Sequence, residues 1–384
     1  MLYTYSFANA KRDLSDIMST VIKDEPRFIS NFRVGSNAVQ RKHEWVEDQL
    51  SGRGFTALSI SGNAMTLSAA DAAKAVPGML IAVKEDPALF KITAVNGTEV
   101  TVEFAAGNGS ALSGISDLED KMEFIIVSTP MNEGSANGDG DETGKCSSVE
   151  WNATQIFRKE IVISGSSLAV ALNGSADNQL NRQTAFALSE LARDLNRVAL
   201  FGRRVEAAPG VLGEAGGLYC FGTRENSLVI DAGKTRLDSF SINDAAQKVL
   251  GEGGDPMQIL CSPGQARVIS NEYRDRIQIL RSDDRRGAYV AVIVNEINGR
   301  GMTIMADPDV PDCDAWILDP QCFALSNLAG RGITDTDATP KGFDGIRRVA
   351  IGELTFEFRN AAQRCCRIKN LMPSTEAIAA LRNA

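Results

Sequence analysis

The sequence predicts an α+β fold, because one long helix stands among many short strands. Residues 178–201 repeat apolar side chains every three or four positions, which is the period of an amphipathic helix. Residues 52–130 alternate apolar and polar side chains in short runs between turn residues, as strands do. Residues 238–328 alternate the two patterns, as in an α/β domain. Such a composition indicates a flat, extended subunit rather than a compact enzyme.

Length and charge limit the possible functions. The chain has 384 residues, more than one hydrophobic core usually serves, so we expect two or three domains. Apolar residues make up 43% of it, which is enough to build such cores. Its net charge of −9 argues against a dedicated nucleic-acid binder, which normally carries a basic surplus.

The cysteines and the lengths of the apolar runs indicate in which cellular compartment the protein is made. Seven cysteines are scattered without a C-x-x-C pair, and Cys365 and Cys366 are adjacent, so we expect reduced thiols of a cytosolic protein. The N-terminus lacks the apolar core of a signal peptide, and no run of 18 apolar residues occurs. We therefore expect a soluble protein, made inside the cell, that does not associate with membranes.

Residues 1–50 are interpreted as an N-terminal arm. Asp13–Ile22 has a helical pattern that Pro26 ends, and an extended stretch follows. The arm has too few apolar residues for a core of its own, so we expect it to lie across a neighbouring surface. Trp45 is its best candidate for an anchor buried against another subunit, with Asp48 beside it, because tryptophan contributes strongly to interfaces.

Residues 51–146 are interpreted as an extended loop that carries an inserted domain. Its strand-like runs fall within residues 52–130, and Asn96-Gly97 is a hairpin signal between two of them. Five or six strands at this spacing predict a small β-barrel or sandwich. Residues 131–146 are rich in glycine and acidic side chains, and we expect a mobile loop there.

Residues 147–211 contain strands and the long helix. Asp177 is a candidate N-cap, and Gly202 stands where a left-handed C-cap glycine is expected. The predicted apolar face consists of Leu180, Thr184, Leu188, Leu191, Leu195 and Val198. The opposite face is charged, and its arginines are candidates for contacts between subunits: Arg182, Arg193 and Arg197.

The rest of the chain forms an α/β region, residues 212–328, and a return segment, residues 329–384. In the first, Ser262 is predicted to cap a helix that begins at Pro263. In the second, residues 347–371 predict two strands that return beside the long helix.

Put in order, these segments resemble the Hong Kong 97-type major capsid protein of tailed bacteriophages, and most closely its SU-ten-like branch. The resemblance covers both halves of the chain and rests on several segments in register: HEWVEDQL (43–50), NATQIF (152–157), the spine helix with its flanks (173–202), ILCSP (259–263), NGRGMTIMADPDVPDCDAWILDP (298–320) and GELTFEFRNAAQRCCRIKNL (352–371). It implies a spine helix at 178–201 in a peripheral domain, an axial domain at 212–328, and an insertion at 52–130.

The resemblance also implies a function and partners. Copies of the chain would assemble into hexamers and pentamers of an icosahedral shell around double-stranded DNA, with which contacts would be non-specific. Portal, scaffold and decoration proteins would be further partners. The subunit would be made in the host cytoplasm and end in the virion. An encapsulin-like nanocompartment shell, which holds a cargo enzyme and no genome, is the alternative within the same fold.

An enzyme, such as a hydrolase built on residues 238–328, is the other alternative, but the sequence lacks its parts. His43 is the single histidine, it lies in the arm, and no G-x-S-x-G motif occurs. We expect a surface or packing role for it, no catalytic residue and no cofactor. The type member of the fold cross-links its subunits through a lysine and an asparagine. Lys145 with Asn360 or Asn370 would be candidates here, but nothing selects them, and we predict no cross-link.

One segment comes close to a calcium-binding loop. Counting from Asp139, five positions of that motif are occupied by Asp139, Asp141, Thr143, Gly144 and Glu150. Threonine is a poor ligand at the third of these, and neither flank is helical. We therefore expect an acidic glycine loop and no metal, with Asp139, Asp141 and Glu150 as the weak candidates.

Overall fold

The computed structural model describes residues 26–47, 54–110, 112, 114–131, 148–169, 179–224, 227–272 and 292–383. The chain divides into two compact units, one made of Met1–Trp45 with Val149–Ala384 and the other of Val46–Ser148. In the first unit, a short 3-10 helix, Ile29–Asn31, precedes strand β1 (Arg33–Val34). Strand β2 (Lys42–Glu47) begins in the first unit and ends in the second. None of the helices in the described ranges is long and apolar enough to span a membrane.

The second unit contains a closed barrel of six strands. Its elements are β3 (Gly54–Ser61), β4 (Ala64–Leu67), α1 (Ala69–Ala72), β5 (Leu80–Val83), β6 (Leu89–Asn96), β7 (Glu99–Ala106), a 3-10 turn (Ile115–Asp117) and β8 (Glu123–Ser128). The strands follow the order β3-β4-β7-β6-β5-β8 around the barrel. Buried Phe90 and Ile92 alternate with exposed Lys91, so inward-facing side chains fill the interior. The hairpin predicted at Asn96-Gly97 joins β6 to β7.

The remaining elements belong to the first unit, except for Ser148, the first residue of β9, which belongs to the second. They are β9 (Ser148–Ala153), β10 (Gln155–Ser164), α2 (Gly165–Ala169), α3 (Gln179–Phe201), α4 (Leu218–Phe221), β11 (Leu228–Asp231), α5 (Ser239–Gly251), β12 (Gln258–Cys261), α6 (Pro263–Glu272), β13 (Val292–Val294), β14 (Gly301–Ala306), β15 (Ala315–Leu318), β16 (Phe323–Asn327), β17 (Thr334–Asp337), β18 (Gly345–Phe358), α7 (Ala361–Arg364), β19 (Cys365–Lys369) and α8 (Ser374–Asn383).

A five-stranded sheet supports the long helix. Its order is β1-β16-β18-β10, and β17 also pairs with β18. Strand β10 runs antiparallel to β18 from Gln155 opposite Leu354 to Ser164 opposite Gly345. Helix α3 packs against both strands. Side chains of the sheet and of helix α3 form a large apolar cluster, which contains Phe157, Leu191, Leu195, Phe356 and Phe358.

Helix α3 confirms the predicted position of the long helix, but its buried face differs. Leu188 remains 39% exposed, whereas Ala187 and Ala199 are buried. Ala187 packs with Ile161 and Ile163 of β10, and a pattern based on large apolar side chains does not select so small a residue. Gly202 does not adopt the predicted left-handed conformation. Asp177 lies outside the described residues.

A mixed six-stranded sheet follows the order β11-β19-β15-β12-β14-β13. Helices α5 and α6 bury Ile242, Ala246, Val249 and Ile269 with side chains of this sheet. The Ser262 hydroxyl accepts the Gln265 backbone N–H at 3.1 Å, which is the predicted cap. We expected two return strands beside the long helix. Only β18 lies there; β19 instead stands between β11 and β15, because Cys366 and Ile368 complete this second core.

The described part of the arm differs from expectation as well. Phe28, Ala38 and Trp45 are almost fully buried within their own chain. Strand β1 runs parallel to β16, and the Gly35 and Ala38 N–H groups donate to carbonyls of the same edge, each at 2.8 Å. The segment therefore extends the subunit's own sheet. The predicted helix at Asp13–Ile22 lies outside the described residues.

Candidate functional site

The N-terminal strap, which we define as residues 26–45, is held to the sheet at its end by a buried carboxylate. Nε2 of His43 lies 2.8 Å from Oε1 of Glu357 in β18. The Ser326 hydroxyl donates to the same oxygen at 3.1 Å, and Arg359 donates to the other at 2.9 Å. Burial alone raises the pKa of Glu357, but the hydrogen bonds from His43 and Arg359 outweigh it and lower the pKa to about 2. The carboxylate is therefore ionised.

A second buried carboxylate holds the beginning of the strap. Oδ2 of Asp307 accepts the Phe28 backbone N–H at 3.1 Å and the side-chain amide of Asn196 at 3.0 Å. Its Oδ1 accepts the Asp309 N–H at 2.9 Å. Oδ1 of Asn196 in turn accepts the Ile29 N–H at 3.2 Å. This network connects the strap, helix α3 and the loop after β14, and it satisfies polar groups that have no access to water.

Trp45, the predicted intersubunit anchor, lies in the core of its own subunit. Its side chain is 6% exposed, and its ring packs on Phe221 with centroids 5.9 Å apart. Little of its surface is left to present to another subunit. The neighbouring candidate Asp48 lies outside the described residues.

The three arginines predicted on the spine helix have different surroundings. Arg197 pairs with Asp309 of its own chain at 3.0 Å, and this contact raises the pKa of its guanidinium. Arg182 lies over the Phe186 ring, 5.5 Å from its centroid. Arg193 is half-buried and has no ion pair with any residue in the described ranges. The sequence did not predict that Arg197 holds the loop at Asp309.

Glu150, the last ligand of the possible calcium loop, is already paired. Its two carboxylate oxygens lie 3.0 Å from Arg204 and 2.8 Å from Arg224. Arg204 also stacks over Trp151 at 4.5 Å. A carboxylate held by two guanidinium groups is a poor ligand for a cation. Asp139 and Asp141 lie outside the described residues, and the described ones contain no group of three His, Cys, Asp or Glu side chains placed for a metal.

The asparagines weighed for cross-linking have local roles. Asn370 has a positive φ of 58°, and its amide donates to both oxygens of Asp231, at 2.9 and 2.8 Å. Asn360 also has a positive φ, 51°, and precedes helix α7. Lys145 lies outside the described residues, so the absence of a cross-link stays a prediction.

The sequence analysis did not predict the two buried carboxylates that hold the strap. Glu357 stands between Phe356 and Phe358, and Asp307 follows the apolar strand β14 directly. A carboxylate inside or at the end of an apolar run is the signal that could have found them, because a buried charge requires partners.

Several large apolar side chains of the first unit are exposed. The most exposed are Val34 (93%), Val39 (84%), Leu212 (83%) and Phe240 (75%). Leu212 lies in a short hairpin in which Val205 pairs with Glu214 and Ala208 with Val211. Scattered apolar side chains are normal on a surface, but ones this exposed are candidates for contacts with another molecule.

The fold is that of phage capsid subunits. The capsid of cyanophage A-1(L) is similar at a TM-score of 0.58 and 11% identity, over 96% of this chain and 99% of that one. The capsid of an empty GTA particle gives 0.52 and 10%, over 97% and 100%. That of Mycobacterium phage Bobi gives 0.50 and 11%, over 96% and 98%. Among curated protein sequences, none matches this chain.

The family model for the SU10 major capsid protein matches residues 2–372. The chain therefore belongs to the SU10 major capsid protein family, and it is a phage major capsid protein with the Hong Kong 97-type fold. It forms part of the multimeric icosahedral shell of the virion. The match over nearly the whole chain favours this function over the encapsulin-like alternative.

Proposed function

We propose that copies of this subunit form hexamers and pentamers, which close the shell around a double-stranded DNA genome. The family match over residues 2–372 carries the proposal. In this assembly the extended loop at 51–146 and the exposed side chains of the arm contact neighbouring subunits, and the spine helix belongs to a peripheral domain. Residues 212–328 together with β19 form the axial domain at the capsomer centre.

The exposed apolar side chains are the proposed contacts between copies. Val34 and Val39 lie on the strap at the edge of the five-stranded sheet, and Leu212 lies on the hairpin after the spine helix. A second copy is the proposed occupant because a shell subunit is surrounded by copies of itself. Burying each of these side chains stabilises the contact by about 1.5–3 kcal/mol.

The charge of the chain supports a container rather than a DNA-binding protein. A net charge of −9 disfavours tight contacts with packaged DNA, so we propose only non-specific ones. Portal, scaffold and decoration proteins are the further partners that we propose, and assembly takes place in the host cytoplasm.

No catalytic step belongs to the proposal. The single histidine, His43, faces a buried carboxylate rather than a nucleophile, and its side chain is 11% exposed. An alternative hydrolase would need an accessible base.

Expression of the chain alone tests the proposal, by size-exclusion chromatography and negative-stain electron microscopy. We expect hexamers, sheets or hollow shells tens of nanometres across. A chain that stays monomeric or dimeric at high concentration, with crowding agents and with a co-expressed scaffold, would contradict it.

A further inference from the structure

Two cysteines from different sheets face each other in the core of the first unit. Cys322 directly precedes β16 of the five-stranded sheet, and Cys365 begins β19 of the six-stranded sheet. Their sulfur atoms are 3.9 Å apart, and neither side chain is exposed. A disulfide requires about 2.05 Å, so the two are thiols in contact, and their sulfur atoms would have to approach each other by roughly 1.9 Å to form a bond.

The neighbouring cysteine points elsewhere. Cys365 belongs to the apolar cluster beneath the long helix, together with Cys322. Cys366 belongs to the other cluster, beneath α5, with Cys261. Successive residues of a strand face opposite sides of the sheet, so Cys365 and not Cys366 is the partner of Cys322.

Both thiols are unreactive while the core is closed. The Cys322 thiol donates to the Asp319 carbonyl oxygen at 2.7 Å. Burial raises the pKa of the Cys365 thiol well above its usual value, and the nearby Cys322 adds to this effect. The thiolate is the reactive form, so the pair stays reduced in a reducing compartment and reacts slowly elsewhere.

We propose that Cys322 and Cys365 form a disulfide bond when the chain leaves a reducing compartment. The oxidant is a peroxide or a small-molecule disulfide. With hydrogen peroxide, the sulfur of one cysteine attacks an oxygen, the O–O bond breaks, and a sulfenic acid and water form. The second sulfur then displaces the hydroxyl group as a second water. Two thiols and one peroxide thus yield one disulfide and two waters. With a small-molecule disulfide, the sulfur of one cysteine attacks it, breaks its S–S bond and releases one thiol. The second cysteine then displaces the other half as a second thiol.

The bond would join the five-stranded sheet to the six-stranded sheet. The two cysteines are 43 residues apart in sequence, and the segment between them contains β17 and the long β18. Closing a loop of this length restricts the unfolded chain, so the oxidised subunit resists unfolding more than the reduced one. The site does not depend on assembly, and it can be tested on an isolated subunit.

Peptide mapping of the full-length chain tests the site. Trypsin leaves Cys313 and Cys322 on one peptide, residues 301–331. The exposed Cys313 is therefore first replaced by serine (Cys313→Ser), so that any link to this peptide is made by Cys322. This protein is treated with hydrogen peroxide, or unfolded and refolded with oxidised glutathione, which reaches thiols before they are buried. Free thiols are then alkylated under denaturing conditions and the digest is kept non-reduced.

We expect a disulfide link between peptide 301–331 and peptide 365–367 in the refolded sample. The same link should form more slowly in the peroxide sample. The link should vanish when Cys365→Ala is added, and the oxidised background protein should melt on the order of 5 °C higher than the reduced one. Alkylation of both Cys322 and Cys365 after both treatments would overturn the proposal. So would a link that persists in the Cys365→Ala protein, since Cys366 would then be the partner.

Discussion

The single histidine of the chain, His43, lies 2.8 Å from the buried carboxylate of Glu357, and 314 residues separate the two in sequence. The contact joins the end of the strap to the central strand of the five-stranded sheet. Because the carboxylate has no access to water, each of its hydrogen bonds stabilises the folded state more than an exposed one would.

Replacing His43 with alanine should loosen the strap. Among the described residues, only the Ser326 hydroxyl would still donate to Oε1 of Glu357, and we expect a loss of about 1–3 kcal/mol of unfolding free energy. Denaturant unfolding measures the loss, and hydrogen exchange of residues 26–45 locates it. Lys84→Ala, which breaks the exposed pair with Glu123, is the control and should change stability by less than about 1 kcal/mol. Equal losses in both variants would contradict the buried role of His43.

Acid should destabilise the subunit partly through Glu357. Its folded pKa of about 2 lies below the usual glutamate value of 4.5, so its contribution to stability is fully present above pH 4.5 and is lost as the pH falls towards 2. The Glu357→Gln variant has no such titration. We expect the stability difference between wild type and variant to shrink by about 2–3 kcal/mol between pH 5 and pH 2. A difference independent of pH in this range would be incompatible with an ionised Glu357.

Gly202 should not tolerate a side chain. A Cβ atom there would lie 2.1 Å from the Ala215 carbonyl oxygen and 2.6 Å from that of Val198, and both are backbone atoms that cannot rotate away. We expect Gly202→Ala to cost about 1–3 kcal/mol. Gly251, at the end of helix α5, has no atom within 4 Å of its Cβ position, so Gly251→Ala should be neutral or slightly stabilising. Thermal unfolding of the two variants compares them directly.

The exposed Leu212 should matter for assembly and not for folding. Leu212→Asp places a charge where we propose that a second copy binds, so we expect few or no shells by electron microscopy. The melting temperature of the unassembled subunit should stay within about 1 °C, because the side chain is 83% exposed. Leu212→Met keeps the apolar contact and should assemble normally. Shell formation by the aspartate variant at wild-type yield would remove Leu212 from the interface.

The sequence was sufficient for the fold class, the long helix and the capsid family, because these depend on local periodicity and on the order of segments. It was not sufficient to predict the burial of the strap, the conformation of Gly202 or the sheet that β19 joins. Trp45 and Phe28 are aromatic residues of a kind that is common in interfaces. Only the tertiary fold shows that they are buried within their own subunit. Gly202 is required by the backbone of Ala215, which no local pattern encodes. The sheet that β19 joins is decided by its pairing with Leu228–Asp231.

The position of β19 also has a consequence for the order in which the subunit can be made. The strand lies between β11 and β15, but the ribosome synthesises it after every other strand of that sheet. Until residue 369 has emerged from the ribosome, β11 lacks the strand with which it pairs in the described sheet. One edge of β15 also has no neighbouring strand until β19 binds there. A nascent chain, or one cut short by a premature stop codon, therefore lacks a finished six-stranded sheet. We expect such a chain to be excluded from a growing shell, so that only subunits translated through their last strand are incorporated.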